Sequence, residues 1–450
     1  MTVDKRILII GAGVSGIGAA RLLLDAGACP VIYDSNTSLK EEALRDKLPE
    51  SSDFRIFLGE LPEKEKKETE VVVLSPGVPA ELPLVEELRE NGAEIWGEVE
   101  LAYHFAKGRL AAITGTNGKT TTTALVGEIL RSFYQEVFVV GNIGNAYTGE
   151  ALKMSESSVT VAEISSFQLE TIRSFHPQVS AILNITPDHL DRHHTMECYM
   201  RTKELIARNQ EAQDTCVLNY DDEETRRFGE LVKASVLYFS RKHILDRGVY
   251  LNGARIIYND GREQTEICDI SELHLLGSHN HENVMAAIAI GIAMGVPLPQ
   301  IRRTVTEFRA VEHRIEFVAE KNGVVYYNDS KGTNTDASIK AVEAMTRPTL
   351  VIGGGYDKHV EFDDWVKTFE GRVKQLVLLG ATAGQIAATA RRYGFEHIAF
   401  AESMEEAVEI CAEKAEPGDA VLLSPACASW GMFRNYEERG RIFKDCVRRL

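Results

Sequence analysis

Short apolar runs alternate with amphipathic stretches along most of the chain. Arg6–Ile10 (RILII) reads as an apolar strand running into glycines at 11, 13 and 16. A stretch with apolar positions at helical spacing follows, and a second strand ends at Asp34. Glu70–Pro79 (EVVVLSPGVP) reads as a further buried strand closed by a Ser-Pro-Gly turn. The pattern then restarts: LAAIT, VTVAEIS, VSAILNIT and DTCVLNY read as strands, and Asn283–Gly295 as helix. Residues 240–275, with GVYLNGARIIYNDG among them, predict short antiparallel strands joined by Asn-Gly and Asp-Gly turns. From residue 311 the strands TLVIGGG, QLVLLG, HIAFA and AVLLSP are each followed by a helical pattern.

Strands alternating with helices imply largely parallel, covered sheets. The expected fold is α/β in three domains. Residues 1–97 form a Rossmann-like half domain, 98–310 a central P-loop ATPase-like domain, and 311–450 a C-terminal Rossmann-like domain. The 450 residues suit two to four domains at about 100–200 residues each.

Composition narrows the function classes. A net charge of −17 disfavours sequence-independent nucleic-acid binding, which needs basic surface to displace counterions. Seven cysteines without a C-x-x-C suggest neither a disulfide framework nor a zinc site, and point to the reducing cytosol. No apolar run is long enough for a bilayer, and MTVDKRILIIGAG reads as a first strand rather than a signal peptide. A cytoplasmic protein with no membrane partner is expected.

Two glycine loops carry the candidate chemistry. Gly11-x-Gly13-x-x-Gly16 stands between strand and helix, the context of a nucleotide-binding fingerprint. The second loop begins only about 100 residues later, which is tight for two mononucleotide-binding halves. A half-sized fold holding one nucleotide, or none, is expected. The second loop, Gly115-Thr116-Asn117-Gly118-Lys119-Thr120-Thr121, resembles a phosphate cradle but has two residues between its glycines where the Walker pattern has four. Strand, flexible turn, lysine, hydroxyls and helix start are all retained. Lys119 can reach β/γ-phosphate oxygens and Thr120 can ligate Mg²⁺. Glu163 ends a strand, where ligands bind in parallel sheets, and suits the same metal. Read alone, Lys203 in YMRTKELIARN is a surface charge and Asn184–His194 (NITPDHLDRHH) a polar loop.

The motifs G-T-N-G-K-T-T-T, G-N-I-G (141–144), E-I-S-S-F-Q-L (163–169), N-I-T-P-D-H-L-D (184–191) and G-S-H-N-x-x-N (277–283) together resemble those of the Mur ligases of peptidoglycan synthesis. H-R-I-E (313–316), N-D-S-K-G-T-N (328–334) and L-S-P-A-C-A-S-W-x-x-F-x-N-Y-x-x-R-G-x-x-F (423–443) continue the likeness. The last two resemble the members that add D-glutamate to UDP-N-acetylmuramoyl-L-alanine. The two-residue glycine gap is that family's own loop form.

The resemblance implies an ATP-dependent amide ligase working through an acyl phosphate, with ATP and two Mg²⁺ ions. It assigns Gly115–Thr121, Asn283, Arg314 and Asp329 to ATP. Thr120, Glu163, His189 and a Lys203 carbamylated by CO₂ are assigned to metal, and Lys119, Glu163, His189 and Lys203 to catalysis. Ser15, Asp34, Ser35, Ser75, Asn142, Ser165 and Gln168 are assigned to the UDP-substrate, and Thr333, Lys358, Ser429 and Tyr436 to the amino acid. Many relatives carry phenylalanine where Tyr436 stands. Asp34 can also be read as a ribose-binding acid. A monomer that closes about the junction near 310–313 is expected. The rival readings are a sibling ligase, folylpolyglutamate synthetase, a nicotinamide oxidoreductase and a nucleotide-binding switch.

Overall fold

The computed structural model describes residues 4–49, 53–142, 145–275, 277–309, 311–357 and 360–450. The chain forms two compact units, Met1–Glu272 with Glu282–Thr306, and Leu273–His281 with Glu307–Leu450. The first unit contains two sheets and the second contains one.

The first sheet joins β1 (Ile7–Ile10), β2 (Val31–Asp34), β3 (Arg55–Leu58), β4 (Val71–Leu74) and β5 (Glu94–Gly97) in the order β3-β2-β1-β4-β5. Every pairing is parallel. One mononucleotide-type half, β1 to β3, is therefore complete, and two strands of a second half follow. The order reverses between β1 and β4, so the loops after these strands diverge and leave a crevice. All four residues of β1 and of β4 are buried. This explains their unbroken apolar runs: both faces of a parallel sheet are covered.

The fingerprint glycines have separate reasons. Gly11 has φ +100°, which favours glycine. A Cβ on Gly16 would lie 1.8 Å from the Gly11 carbonyl oxygen, so the helix Val14–Asp25 can approach β1 only without a side chain there. Gly13 has no neighbouring atom within 4 Å of such a Cβ. Gly16→Ala is expected to cost at least about 1–3 kcal/mol of stability, because backbone must move. Gly13→Ala should stay close to wild type. Urea unfolding of the two variants compares them, and equal midpoints would refute the packing argument.

The second sheet contains β6 (Arg109–Thr114), β7 (Val137–Gly141), β8 (Val159–Glu163), β9 (Val179–Ile182), β10 (Thr215–Asn219), β11 (Ser235–Ser240), β12 (Gly248–Asn252), β13 (Arg255–Asn259) and β14 (Gln264–Asp269). Its order is β14-β13-β12-β11-β10-β9-β6-β8-β7. The seven strands from β12 to β7 are parallel, and β13 and β14 close the other edge as an antiparallel meander. Asn252-Gly253 and Asp260-Gly261 stand at its two turns, as the sequence predicts. β6 lies between β8 and β9, so the glycine loop at its end is flanked by the ends of both neighbours.

In the second unit β15 (Glu316–Lys321), β16 (Val324–Asn328), β17 (Thr349–Gly353), β18 (Val373–Leu378), β19 (Ile398–Phe400) and β20 (Ala420–Leu423) are ordered β15-β16-β20-β17-β18-β19. Only β15, in its hairpin with β16, is antiparallel. That hairpin went unread in the sequence. Among the described residues no helix is long and apolar enough to cross a membrane.

Candidate active site

The loop between β6 and the helix Lys119–Arg131 is built by glycine conformation and by the strand beside it. Gly115 has φ +151° and Gly118 has φ +84°. Asn184, just beyond β9, braces the turn from both sides. Its carbonyl accepts from Thr116 N at 2.9 Å, its Oδ1 accepts from Asn117 N at 2.8 Å, and its Nδ2 donates to Asn117 O at 3.1 Å. Thr116 Oγ1 adds bonds to Thr186 N and O, both 3.0 Å. Gly118 caps the helix, and a Cβ on it would lie 2.1 Å from Asn283 Oδ1. The Asn283 carboxamide thus lies against the loop. Thr120 and Thr121 are buried in the first helical turn.

Two lysines converge on this turn. Lys119 Nζ donates to Gly115 O at 2.7 Å and to Thr116 O at 2.8 Å. Lys203 Nζ donates to the same Gly115 O at 2.9 Å and lies 4.5 Å from the centre of the Tyr199 ring. Lys203 is only 1% exposed, which overturns the reading of it as a surface charge. Burial, reinforced by the charge of Lys119, lowers its pKa from 10.5 to about 6. At neutral pH the Lys203 amine is therefore largely unprotonated. Tyr199, Met200, Thr202 and Lys203 form the buried side of the helix Met196–Glu204.

Glu163 ends β8 in register with Ile113 and Gly141 and is 1% exposed. Its Oε1 accepts from Asn142 Nδ2 at 2.9 Å, while Oε2 is buried without a hydrogen-bond partner. A buried, unsatisfied carboxylate oxygen is costly, and a hard cation offsets that cost. Glu163 Oε2 and the Thr120 hydroxyl are hard oxygen donors of the kind Mg²⁺ takes. His189 has a left-handed backbone (φ 51°) and its ring lies 5.0 Å from that of Phe167. Buried His193 pairs with Ser166 Oγ at 3.0 Å, and burial lowers its pKa.

Beside the loop lies a cavity of about 780 Å³. Its wall brings together Ser15, Ser75, Lys119, Asn142, Ser165, Gln168, His189 and Lys203, all singled out from the sequence. Gly13 and Gly77 also line it, so the cavity reaches the crevice at the switch point of the first sheet. Asp34 and Ser35 do not line it. Asp34 instead holds the first glycine turn: Oδ2 accepts from Ala12 N at 2.8 Å and Oδ1 from Asn36 N at 2.9 Å. These two bonds use about half of the acceptor positions of the carboxylate. Ser35 is exposed. Glu98 and Tyr199 line the cavity too, and the sequence reading missed both, as it missed Asn184 and His193.

In the second unit Asp329 is buried at the end of β16. Its Oδ2 accepts from Ser424 Oγ at 2.8 Å, and burial raises its pKa to about 7 against the opposing charge of Arg314. His313 (φ 67°) and Ile315 (φ 44°) flank Arg314, whose buried Nε has no partner. Left-handed backbone at a β-branched residue is strained, and such strain collects at functional sites. Glu312, His313 and Glu316 bring possible ligand atoms together, but Lys444 Nζ already bridges the two carboxylates at 2.5 and 2.9 Å.

Arg439, also missed from the sequence, is 1% exposed. It donates to Ser330 Oγ at 3.0 Å, Ser330 O at 2.8 Å and Cys427 O at 3.1 Å. Ser330 Oγ donates in turn to Tyr436 O at 2.8 Å. One guanidinium thus ties together the segments bearing Asp329, Ser429 and Tyr436. Thr333 is half-buried, two residues beyond Lys331, whose ammonium lies 5.6 Å from the Tyr436 ring centre. Lys358, and Ala310 at the expected junction, lie outside the described residues.

Known proteins match at both levels. The Mur ligase MurD-like N-terminal domain matches residues 5–97, the Mur ligase middle domain 113–291, and the Mur ligase glutamate ligase domain 313–427. The UDP-N-acetylmuramoylalanine--D-glutamate ligase of Lachnospira eligens is 55% identical over 447 residues, 99% of each chain. That of Clostridioides difficile is 45% identical over 447 residues, again 99% of each. The UDP-N-acetylmuramate-alanine ligase MurC of Thermotoga maritima shares the fold, with TM-score 0.61 at 18% identity and 99% of each chain covered. The MurF ligase of the same organism, solved with ADP, has TM-score 0.57 at 18% identity, covering 85% of this chain and 96% of its own. With three consecutive domain matches and more than half of all positions shared with a full-length relative, the chain belongs to the Mur ligase family.

Proposed function

We propose that this chain joins D-glutamate to UDP-N-acetylmuramoyl-L-alanine at the expense of ATP. In this reading a terminal carboxylate oxygen of the acceptor attacks the γ-phosphorus, and ADP leaves. The D-glutamate amine then attacks the acyl carbon of the resulting acyl phosphate and loses a proton. Inorganic phosphate leaves, and an amide remains. The observation that carries the reading is the meeting of Lys119 and Lys203 on the Gly115 carbonyl, beside a cavity that runs to the nucleotide crevice of the first sheet.

Each group has a physical task. Gly115–Thr121 supplies backbone N–H groups and a helix N-terminus to the triphosphate, and Lys119 supplies charge to its β/γ oxygens. Thr120 and Glu163 would hold one Mg²⁺; His189 and a carbamylated Lys203 would hold a second. Bound there, the metal ions would supply charge neutralisation between phosphate and carboxylate. A buried, unprotonated Lys203 amine is the form that reacts with CO₂. Ser15, Asp34, Ser35 and Ser75 would address the uridine diphosphate, and Asn142, Ser165 and Gln168 the acyl portion. Asn283, Arg314 and Asp329 would take adenine, phosphate and ribose. Thr333, Lys358, Ser429 and Tyr436 would take D-glutamate. The functional boundaries in this reading lie at 97/98 and 310/311; the three domain matches cover 5–97, 113–291 and 313–427. Soluble nucleotide substrates suit a monomer working in the cytoplasm.

Phosphate release tests the reading. With ATP, Mg²⁺ and UDP-N-acetylmuramoyl-L-alanine, release should depend on D-glutamate and fail with L-glutamate. Equal rates with another amino acid would assign the chain to a sibling activity.

A further inference from the structure

Glu98 stands where β5 gives way to the helix Glu98–Phe105, on the wall of the 780 Å³ cavity, and is only 6% exposed. Its Oε1 accepts from Gln168 Nε2 at 3.0 Å. Its Oε2 is buried with no hydrogen-bond partner. Neither the glycine loop nor the metal donors use this carboxylate.

The bonds around it fix which atoms its neighbours can offer. Gln168 Oε1 accepts from Ser165 N at 2.9 Å and from Ser165 Oγ at 3.0 Å. The one hydroxyl proton of Ser165 is therefore committed, and its oxygen can only accept. Asn142 Nδ2 is turned toward Glu163, which leaves Asn142 Oδ1 as the group's acceptor. Glu98, Ser165 and Asn142 thus make an acceptor edge, while the ammonium of Lys119 makes a cationic one on the same wall. A ligand matching both edges carries an N–H donor close to a carboxylate. An N-acylated amino acid has that arrangement; a free hydroxy acid ester does not.

Resting on the function proposed above, the geometry points to Glu98 as the residue that reads the amide N–H of the acceptor's aminoacyl group, with its orientation held by Gln168. The pairing would satisfy Oε2 only when the correct substrate is bound. An analogue with an ester oxygen in place of N–H leaves that oxygen unpaired and adds lone-pair repulsion.

The experiment compares UDP-N-acetylmuramoyl-L-alanine with its L-lactate ester analogue, both carrying the reacting carboxylate. Phosphate release with D-glutamate gives kcat/KM for each. Wild type should prefer the amide by about 10- to 100-fold. In Glu98→Gln the new side chain must keep its carbonyl toward Gln168 Nε2, so its NH₂ replaces Oε2. The acceptor becomes a donor, and the preference should vanish or invert. Glu98→Ala removes the acceptor without adding a donor and should also level the two substrates. Circular dichroism checks the fold of both variants.

Wild-type indifference to the ester overturns the inference without any variant. So does a preference that persists in the folded variants. That result would mean that Oε2 serves a water in the adjoining crevice of about 10 Å³ instead. Absence of D-glutamate-dependent turnover by wild type with the amide substrate is a separate outcome, and would overturn the function itself.

Discussion

Lys119→Ala should lower turnover by about 10³-fold or more while leaving the protein folded. The chemistry requires an anionic carboxylate to approach an anionic triphosphate, and that repulsion must be neutralised by groups already in place. Lys119 is anchored at the first residue of its helix, and its ammonium sits on the carbonyls of Gly115 and Thr116, inside the turn itself. The substitution removes the charge and these two hydrogen bonds, and leaves the other bonds that shape the turn. Asn184 and Thr116 hold the loop through groups that do not involve the lysine side chain. Alanine is also the best helix former, so the helix start is not weakened. Phosphate-release kinetics and a thermal melt measure the two halves of the prediction. Wild-type turnover in Lys119→Ala would remove the loop lysine from the mechanism. A loss of turnover together with a collapsed melt would mean that the lysine is structural.

The parts of the molecule legible in the sequence were those governed by local rules. Unbroken apolar runs announced the buried parallel strands β1, β4 and β20, because a strand covered on both faces has no polar side to show. Asn-Gly and Asp-Gly marked the meander at the edge of the second sheet. The hairpin of β15 and β16 escaped because EFVAEKNGVVYYN mixes charges into an exposed edge strand and weakens the alternation. Asn-Gly at 322–323 was nonetheless a usable signal, with Asn322 at φ 52° and Gly323 at φ 78°.

The candidate site was legible where a motif recorded it, as in the glycine loop. It was illegible where long-range packing decides a residue's role. Nothing local distinguishes Asn184 bracing a loop from an asparagine in a turn. Glu98 likewise finds its hydrogen-bond partner in Gln168, which stands 70 residues later. Two of the buried charges did leave a trace. Lys203 and Arg439 occupy the apolar register of their helices, Lys203 four residues after Tyr199 and Arg439 four before Phe443. A charged residue on the buried stripe of an amphipathic helix is the signal that composition-based reading discards.

Lys203 carries the second large effect, and its two consequences oppose each other. Lys203→Met should abolish turnover while raising stability at neutral pH. The sign follows from proton binding. The folded-state pKa is about 6, against 10.5 for a solvated lysine, and the lowering comes from burial first and the Lys119 charge second. Between those values the unfolded chain binds a proton that the folded chain does not, so stability rises with pH across that window. The destabilisation is full below about pH 6 and gone above about 10.5. Methionine fills the same channel without titrating. With metal chelated and bicarbonate removed, Lys203→Met should therefore melt higher than wild type at pH 7, by about 5 °C. The gap should close as the pH approaches 10. Carbamylation would turn a neutral amine beside Lys119 into an anion facing it. Added bicarbonate should accordingly stabilise wild type and leave the variant unchanged. ¹³C-bicarbonate should give a carbamate resonance in wild type alone. Melting curves that run parallel at all pH values would show that Lys203 keeps its proton on folding. A missing resonance in an active enzyme would show that the free amine, not its carbamate, serves the reaction.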